Sequence, residues 1–189
     1  MLMGKTLNGN VMCSVAIRTT GKDPKKDDIY QICILPLDRN YKPVIGAMFD
    51  KYIQVRPENV SKIGIVENVF AKKHSVVWDM IDEWAEHTMK KGQIIPLVYD
   101  WPSVQQFMTG FISEPGMEIL VCDKARDLKA IALYLNDLHE ADEKVVPFSK
   151  TTLRYILNNC ECSLDQKYNA VEQAIKMAQA YKKMLRYPL

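Results

Sequence analysis

Residues 14–37 read SVAIRTTGKDPKKDDIYQICILPL, and this stretch decides the fold. Apolar residues at every second position predict a β-strand over residues 10–18. A turn containing Gly21 and Pro24 follows, and residues 29–37 predict a second strand. Because the turn is short, the two strands are expected to pair antiparallel. The apolar side of the first strand comprises Val11, Cys13, Val15 and Ile17.

The rest of the chain alternates between strand and helix patterns. Residues 48–55 predict a third strand, and the apolar run 94–99 predicts a buried fourth strand. Strands followed by helices around a later strand are typical of an α/β protein with a mixed sheet. Apolar residues at three- and four-residue steps predict helices over 76–91, 102–112, 125–138 and 149–158 (capped by Ser149), and from Ser163 or Asp165 to about Leu185.

Length and composition limit the class of protein. The chain has 189 residues, of which 48% are hydrophobic, and predicts one domain over residues 1–189 with its core at about 10–185. A formal net charge of +2 gives no indication of a nucleic-acid-binding protein. The five cysteines lack the spacing of a disulfide framework, which favours a reducing compartment such as the cytoplasm. The sequence contains no run of about 20 apolar residues, so it predicts no membrane span.

The opening stretch resembles the first motif of the DEDD family of 3′–5′ exonucleases. In that family a strand ends in Asp-x-Glu-Thr-Thr-Gly, and the next strand opens with Ile-x-x-Ile. Residues 19–21 and 29–32 match this pattern, but Ala16 stands at the position of the Asp and Arg18 at the position of the Glu. The resemblance implies a ribonuclease-H-like fold, a mixed β-sheet flanked by α-helices, without the first two metal-binding acids.

Two later stretches resemble the remaining motifs of the family. The second motif is His-Asn-x-x-Phe-Asp, and here Tyr99, Asp100 and Val104 stand at the His, Asn and metal-binding Asp. The third is His-x-Ala-x-x-Asp-Ala at the start of the last helix. Tyr168 stands at the position of its catalytic base and Gln173 at its metal-binding Asp.

These substitutions remove the chemistry that the resemblance would imply. Two-metal hydrolysis requires several carboxylates around a pair of ions, and Mg²⁺ prefers hard oxygen ligands. Arg18 would oppose a cation, and Tyr168, with an ordinary pKa near 10, is a poor base at neutral pH. We therefore expect neither a metal nor a cofactor. The positions that should converge in the fold, and that carry no carboxylate, are Ala16, Arg18, Val104 and Gln173.

The sequence thus predicts a catalytically inactive exonuclease homologue that acts as a protein- or nucleic-acid-binding module. The low net charge favours a protein partner over a nucleic acid. Residues 127–136 resemble a helix of phage-type members, which predicts a viral scaffold or regulatory subunit in the cytoplasm of a host cell. The candidate binding residues are Arg18, Tyr99, Asp100 and Trp101; Arg18 could contact phosphate and Trp101 could stack on a base.

Two alternatives remain open. The chain could be an active 3′–5′ exonuclease that binds Mg²⁺ or Mn²⁺ through a shifted set of acids, namely Asp23, Asp28, Asp100 and Glu172. It could also be a viral inhibitor that mimics a host nuclease and occupies its partners. For Arg18, an ion pair with Glu172 or Asp100 competes with a role in binding phosphate.

Overall fold

The computed structural model describes residues 9–89, 92–112, 118–120 and 122–188. In this part of the chain one mixed sheet organises the fold. Its strands are β1 (Val11–Thr19), β2 (Ile29–Pro36), β3 (Phe49–Tyr52), β4 (Ile94–Val98) and β5 (Arg126–Asp127). Their order across the sheet is β3-β2-β1-β4-β5. β1 pairs antiparallel with β2, and β2 with β3, whereas β4 is parallel to both β1 and β5.

Helices cover both faces of this sheet. They are α1 (Ile65–Phe70), α2 (His74–Met89), α3 (Trp101–Phe111), α4 (Leu128–Ala141), α5 (Leu153–Asn159) and α6 (Ala170–Met184). Side chains of β1 alternate between two apolar clusters, because successive residues of a strand point to opposite faces. One cluster joins Val11, Cys13 and Val15 to α2 and α3. The other joins Met12 and Ala16 to α4, α5 and α6. The predicted α/β class with a mixed sheet is confirmed.

The predicted helix over residues 125–138 begins later than expected. Arg126 and Asp127 form the fifth strand instead, paired with Leu97 and Val98 of β4. The helix then begins at Leu128, because the Asp127 side chain accepts a hydrogen bond from the backbone N–H of Lys129 at 2.9 Å. It continues to Ala141, three residues beyond its predicted end.

The predicted starts of the last two helices were also wrong. Ser149 does not cap α5; its hydroxyl hydrogen-bonds with that of Tyr155 at 2.6 Å, and the helix begins after Thr152. Helix α6 begins after Asn169 rather than at Ser163 or Asp165. The Asn169 side chain accepts a hydrogen bond from the backbone N–H of Glu172 at 2.9 Å. This bond satisfies a donor that the first turn would leave unpaired.

Candidate functional site

Helix α6 is fixed on the middle of the sheet by two buried polar side chains. The Ser14 hydroxyl of β1 donates to the backbone carbonyl of Ala174 at 2.8 Å. Gln31 of β2 is 1% exposed, and its side-chain oxygen accepts the backbone N–H of Ala170 at 3.0 Å. The Gln31 amide nitrogen donates in turn to Asp50 of β3 at 2.8 Å. These two bonds therefore hold the start of α6 against β1 and β2.

Arg18 and Tyr168 meet at this junction. The guanidinium carbon of Arg18 lies 4.3 Å from the centroid of the Tyr168 ring, a cation–π contact. Arg18 Nε also donates to the Tyr30 hydroxyl at 3.3 Å. On α5, Arg154 places its guanidinium carbon 5.8 Å from the same Tyr168 ring. We call Arg18, Tyr30, Arg154 and Tyr168 the Arg–Tyr cluster.

Neither ion pair considered for Arg18 is formed. Asp100 instead lies 3.5 Å from the ammonium of Lys129. The Glu172 carboxylate accepts the backbone N–H of Asp165 at 2.9 Å. Burial is the largest influence on the pKa of Arg18 and lowers it, but hydrogen bonds with Tyr30 and Tyr168 outweigh burial and raise the pKa. Arg18 therefore keeps its positive charge, and tyrosines rather than a carboxylate hold it.

Two of the positions expected to converge, Ala16 and Val104, pack in different apolar clusters, and the convergence of all four positions stays a prediction. Ala16, 1% exposed, packs in the same cluster as α6, the helix that carries Gln173. Val104, on α3, packs against the cluster on the opposite face, as does Trp101. Tyr99 packs on the side of Ala16, and its hydroxyl donates to the backbone carbonyl of Thr151 at 2.9 Å.

Asp127 holds the turn between β4 and α3, and the sequence analysis did not identify it as a site residue. Asp100 adopts a left-handed backbone conformation with φ 59°. The carboxylate of Asp127 accepts the backbone N–H of Asp100 at 3.0 Å and that of Trp101 at 2.9 Å, besides that of Lys129. The sequence does carry a signal for the role of Asp127, because Asp is a favoured N-cap and this one directly precedes an apolar helical pattern.

The acids of the alternative shifted set are engaged elsewhere. Asp28 accepts from Arg56 Nε at 2.8 Å and from Asn59 at 2.6 Å. Asp23 accepts the backbone N–H of Lys25 at 3.0 Å, in the turn after β1. Within the described residues, no group of three or more His, Cys, Asp and Glu side chains could hold a metal ion.

Among the helices that the structure describes, none has the length and apolar character needed to cross a membrane. A scan against protein-family models found no match. A search of curated proteins found no similar sequence.

Solved structures, in contrast, match the fold. Exonuclease I of E. coli in complex with a dT13 oligonucleotide superposes with a TM-score of 0.66 at 14% identity, over 92% of this chain and 40% of that chain. Exonuclease I of Methylocaldum szegediense gives 0.65 at 14% identity, over 92% and 40%. A full-length 3′-exonuclease gives 0.57 at 13% identity, over 94% and 82%. The chain thus spans about two fifths of the length of the exonuclease I structures. Its sheet and helices have the ribonuclease-H-like fold of DEDD-type 3′ exonucleases, which confirms the fold predicted from residues 14–37.

Proposed function

We propose that this chain is a catalytically inactive 3′ exonuclease homologue that acts as a binding module. The contact between Arg18 of β1 and Tyr168 of α6 carries this proposal. In the family that the sequence resembles, these two positions hold a metal-binding Glu and the catalytic base. Here a guanidinium and an aromatic ring contact each other instead, so the donors do not fit Mg²⁺ or Mn²⁺.

Electrostatics supports the proposal. At the effective dielectric constant typical near a protein surface, two like unit charges about 4 Å apart repel by about 4 kcal/mol. A divalent ion beside Arg18 would therefore be opposed about twice as strongly. A two-metal site offsets such costs with several carboxylates. Two acids of the shifted set are already paired with cations: Asp28 with Arg56, and Asp100 with Lys129.

The nature of the partner is part of the proposal. One matched structure is the complex of exonuclease I with an oligonucleotide, and another is described as an ExoI/SSB-Ct complex. Both a nucleic acid and a protein are therefore reasonable partners for this fold. A role as a viral scaffold, a regulatory subunit or a mimic that occupies the partners of a host nuclease stays a prediction, as does a cytoplasmic location.

The first test is hydrolysis. With millimolar Mg²⁺ or Mn²⁺, the purified chain is expected to leave 3′-labelled single- and double-stranded DNA and RNA intact, because the part of the chain that the structure describes holds no carboxylate cluster to gather the ions. Denaturing gels over several hours provide the measurement, and E. coli exonuclease I is the positive control for single-stranded DNA. Metal-dependent digestion that Asp100→Ala or Glu172→Ala abolishes would contradict the proposal and support the shifted acid set.

The second test is metal binding without turnover. A ligand that binds only the folded state raises the melting temperature. Here 5 mM Mg²⁺ is expected to change the melting temperature by less than about 1 °C relative to EDTA. Differential scanning fluorimetry measures this shift, with equal ionic strength in NaCl as the control. A clear rise with Mg²⁺ that EDTA reverses would reveal an ion site and contradict the inactive interpretation.

A further inference from the structure

Two arginines converge on one tyrosine without a counter-charge. Arg18 of β1 and Arg154 of α5 both lie against Tyr168. Among the described ion pairs neither has a carboxylate partner, whereas Arg56 is paired with Asp28 at 2.8 Å. Of the arginines that the structure describes, Arg18 alone is not exposed. Tyrosines hold the charge of Arg18 and no carboxylate neutralises it, so the Arg–Tyr cluster can accept an anion.

The two guanidiniums still have donors to offer. Each guanidinium carries five N–H groups. Arg154 uses its two terminal nitrogens to donate to the backbone carbonyls of Leu164 and Asp165, both at 3.0 Å, and these bonds hold its plane in position. Arg18 uses Nε toward the Tyr30 hydroxyl and also forms a hydrogen bond with Tyr168. The remaining N–H groups match the oxygens of a tetrahedral anion, since arginine forms paired hydrogen bonds with phosphate.

We propose that Arg18 and Arg154 form a metal-independent site for a phosphate group. Two guanidiniums match the charge of a terminal phosphate monoester, which is about −1.5 to −2 at pH 7. This inference rests on the proposed inactive function.

The low net charge of +2 limits the contact to a few phosphates. For single strands, the slope of log K against log salt is about −0.7 for each phosphate neutralised. One phosphate group therefore predicts a slope of about −0.7, much shallower than that of a protein with a long basic surface. Removing either arginine should flatten this slope further.

The experiment uses the full chain in EDTA, so that no metal contributes. Fluorescence anisotropy follows 5′-labelled oligo-dT carrying either a 3′-hydroxyl or a 3′-phosphate, at several salt concentrations, and inorganic phosphate is the competitor. Arg18→Gln is expected to weaken binding at least tenfold and Arg154→Gln at least threefold. Arg18→Lys keeps the charge but loses the planar guanidinium that forms paired hydrogen bonds. Its affinity should fall between those of Arg18→Gln and the unmodified chain. Arg186→Gln, an exposed arginine after α6, is the matched control and should change nothing.

The two oligonucleotides and the inorganic phosphate competitor distinguish a terminal phosphate from an internal one. Preference for the 3′-phosphate and competition by inorganic phosphate identify a terminal group, whereas equal binding of both oligonucleotides without competition identifies internal phosphodiesters. Because Arg154 is exposed, Arg154→Gln tests the site even if Arg18→Gln impairs folding, which circular dichroism reports. No binding, binding that neither arginine affects, or competition by an acidic peptide alone would overturn the phosphate site. Each of these results would leave the inactivity expected in the hydrolysis assay untouched.

Discussion

Replacing Asp127 by alanine is expected to lower the free energy of unfolding by about 3–5 kcal/mol. Its carboxylate accepts three backbone N–H groups, those of Asp100, Trp101 and Lys129. Loss of an N-cap costs about 0.5–2 kcal/mol, and a hydrogen bond to a charged group contributes about 1.5–3 kcal/mol. Alanine would remove the cap of α4 and both bonds that hold the turn from β4 to α3.

Urea denaturation followed by circular dichroism measures this loss. Asp127→Asn keeps the shape, the cap and one acceptor oxygen, so we expect it to cost only about 1–2 kcal/mol. Asp82→Ala removes an exposed carboxylate on α2 and should stay within about 0.5 kcal/mol of the unmodified chain. If Asp127→Ala cost no more than Asp82→Ala, the carboxylate would not hold this turn in solution.

Gln31→Met is expected to lower the free energy of unfolding by about 2–4 kcal/mol. Methionine has a similar volume, so the packing is kept while both hydrogen bonds are lost. The backbone N–H of Ala170 and the carboxylate of Asp50 then lose their amide partner. A buried group left without its partner costs about 1–3 kcal/mol.

The deficit of Gln31→Met should depend on pH. Burial raises the pKa of Asp50, and the hydrogen bond from Gln31 partly counters this rise. Without the amide the folded-state pKa of Asp50 rises further. An acid whose folded pKa is raised favours the fold while protonated, and this contribution is lost as pH rises through that pKa. The deficit should therefore be smallest below pH 4, near the ordinary pKa of Asp, and grow toward neutral pH.

Urea denaturation at several pH values tests this dependence. Gln179→Met makes the same chemical change at an exposed position of α6, so it is the matched control. It should change the free energy of unfolding by less than about 0.5 kcal/mol at every pH. A deficit for Gln31→Met that is equal at pH 4 and pH 7 would mean that Asp50 does not depend on the Gln31 amide.

The sequence predicted the sheet best where one contiguous stretch held the information. Strands β1 and β2 follow from the alternation in residues 14–37, and α2 and α3 begin within two residues of their predicted starts. Strand β5 has only two residues, too few to show a period, so it was missed. The start of α6 was misplaced because Ser163, Asp165 and Asn169 are all possible caps, and only the packing of Ala170 on Gln31 decides between them.

The candidate site was likewise predictable only where its residues lie within a local sequence motif. The substitutions at Ala16 and Arg18 are visible because they interrupt a local motif. Tyr168 was recognisable for the same reason. Arg154 was not, because it reaches Tyr168 only through the packing of α5 near α6, and nothing in its own neighbourhood of the sequence indicates this. The faces to which Val104 and Tyr99 turn also depend on the packing of helices on the sheet.

The bond between Ser14 and Ala174 has a consequence for how the chain is made. It joins positions 160 residues apart, and one face of β1 is covered only when α6 packs on it. At synthesis rates of about 5–20 residues per second, the first strand waits about 10–30 s for that helix to be translated. During this interval the apolar side that includes Met12 and Ala16 is open to other chains. This face of the sheet is therefore completed only after the last helix has been translated, and not with the early strands.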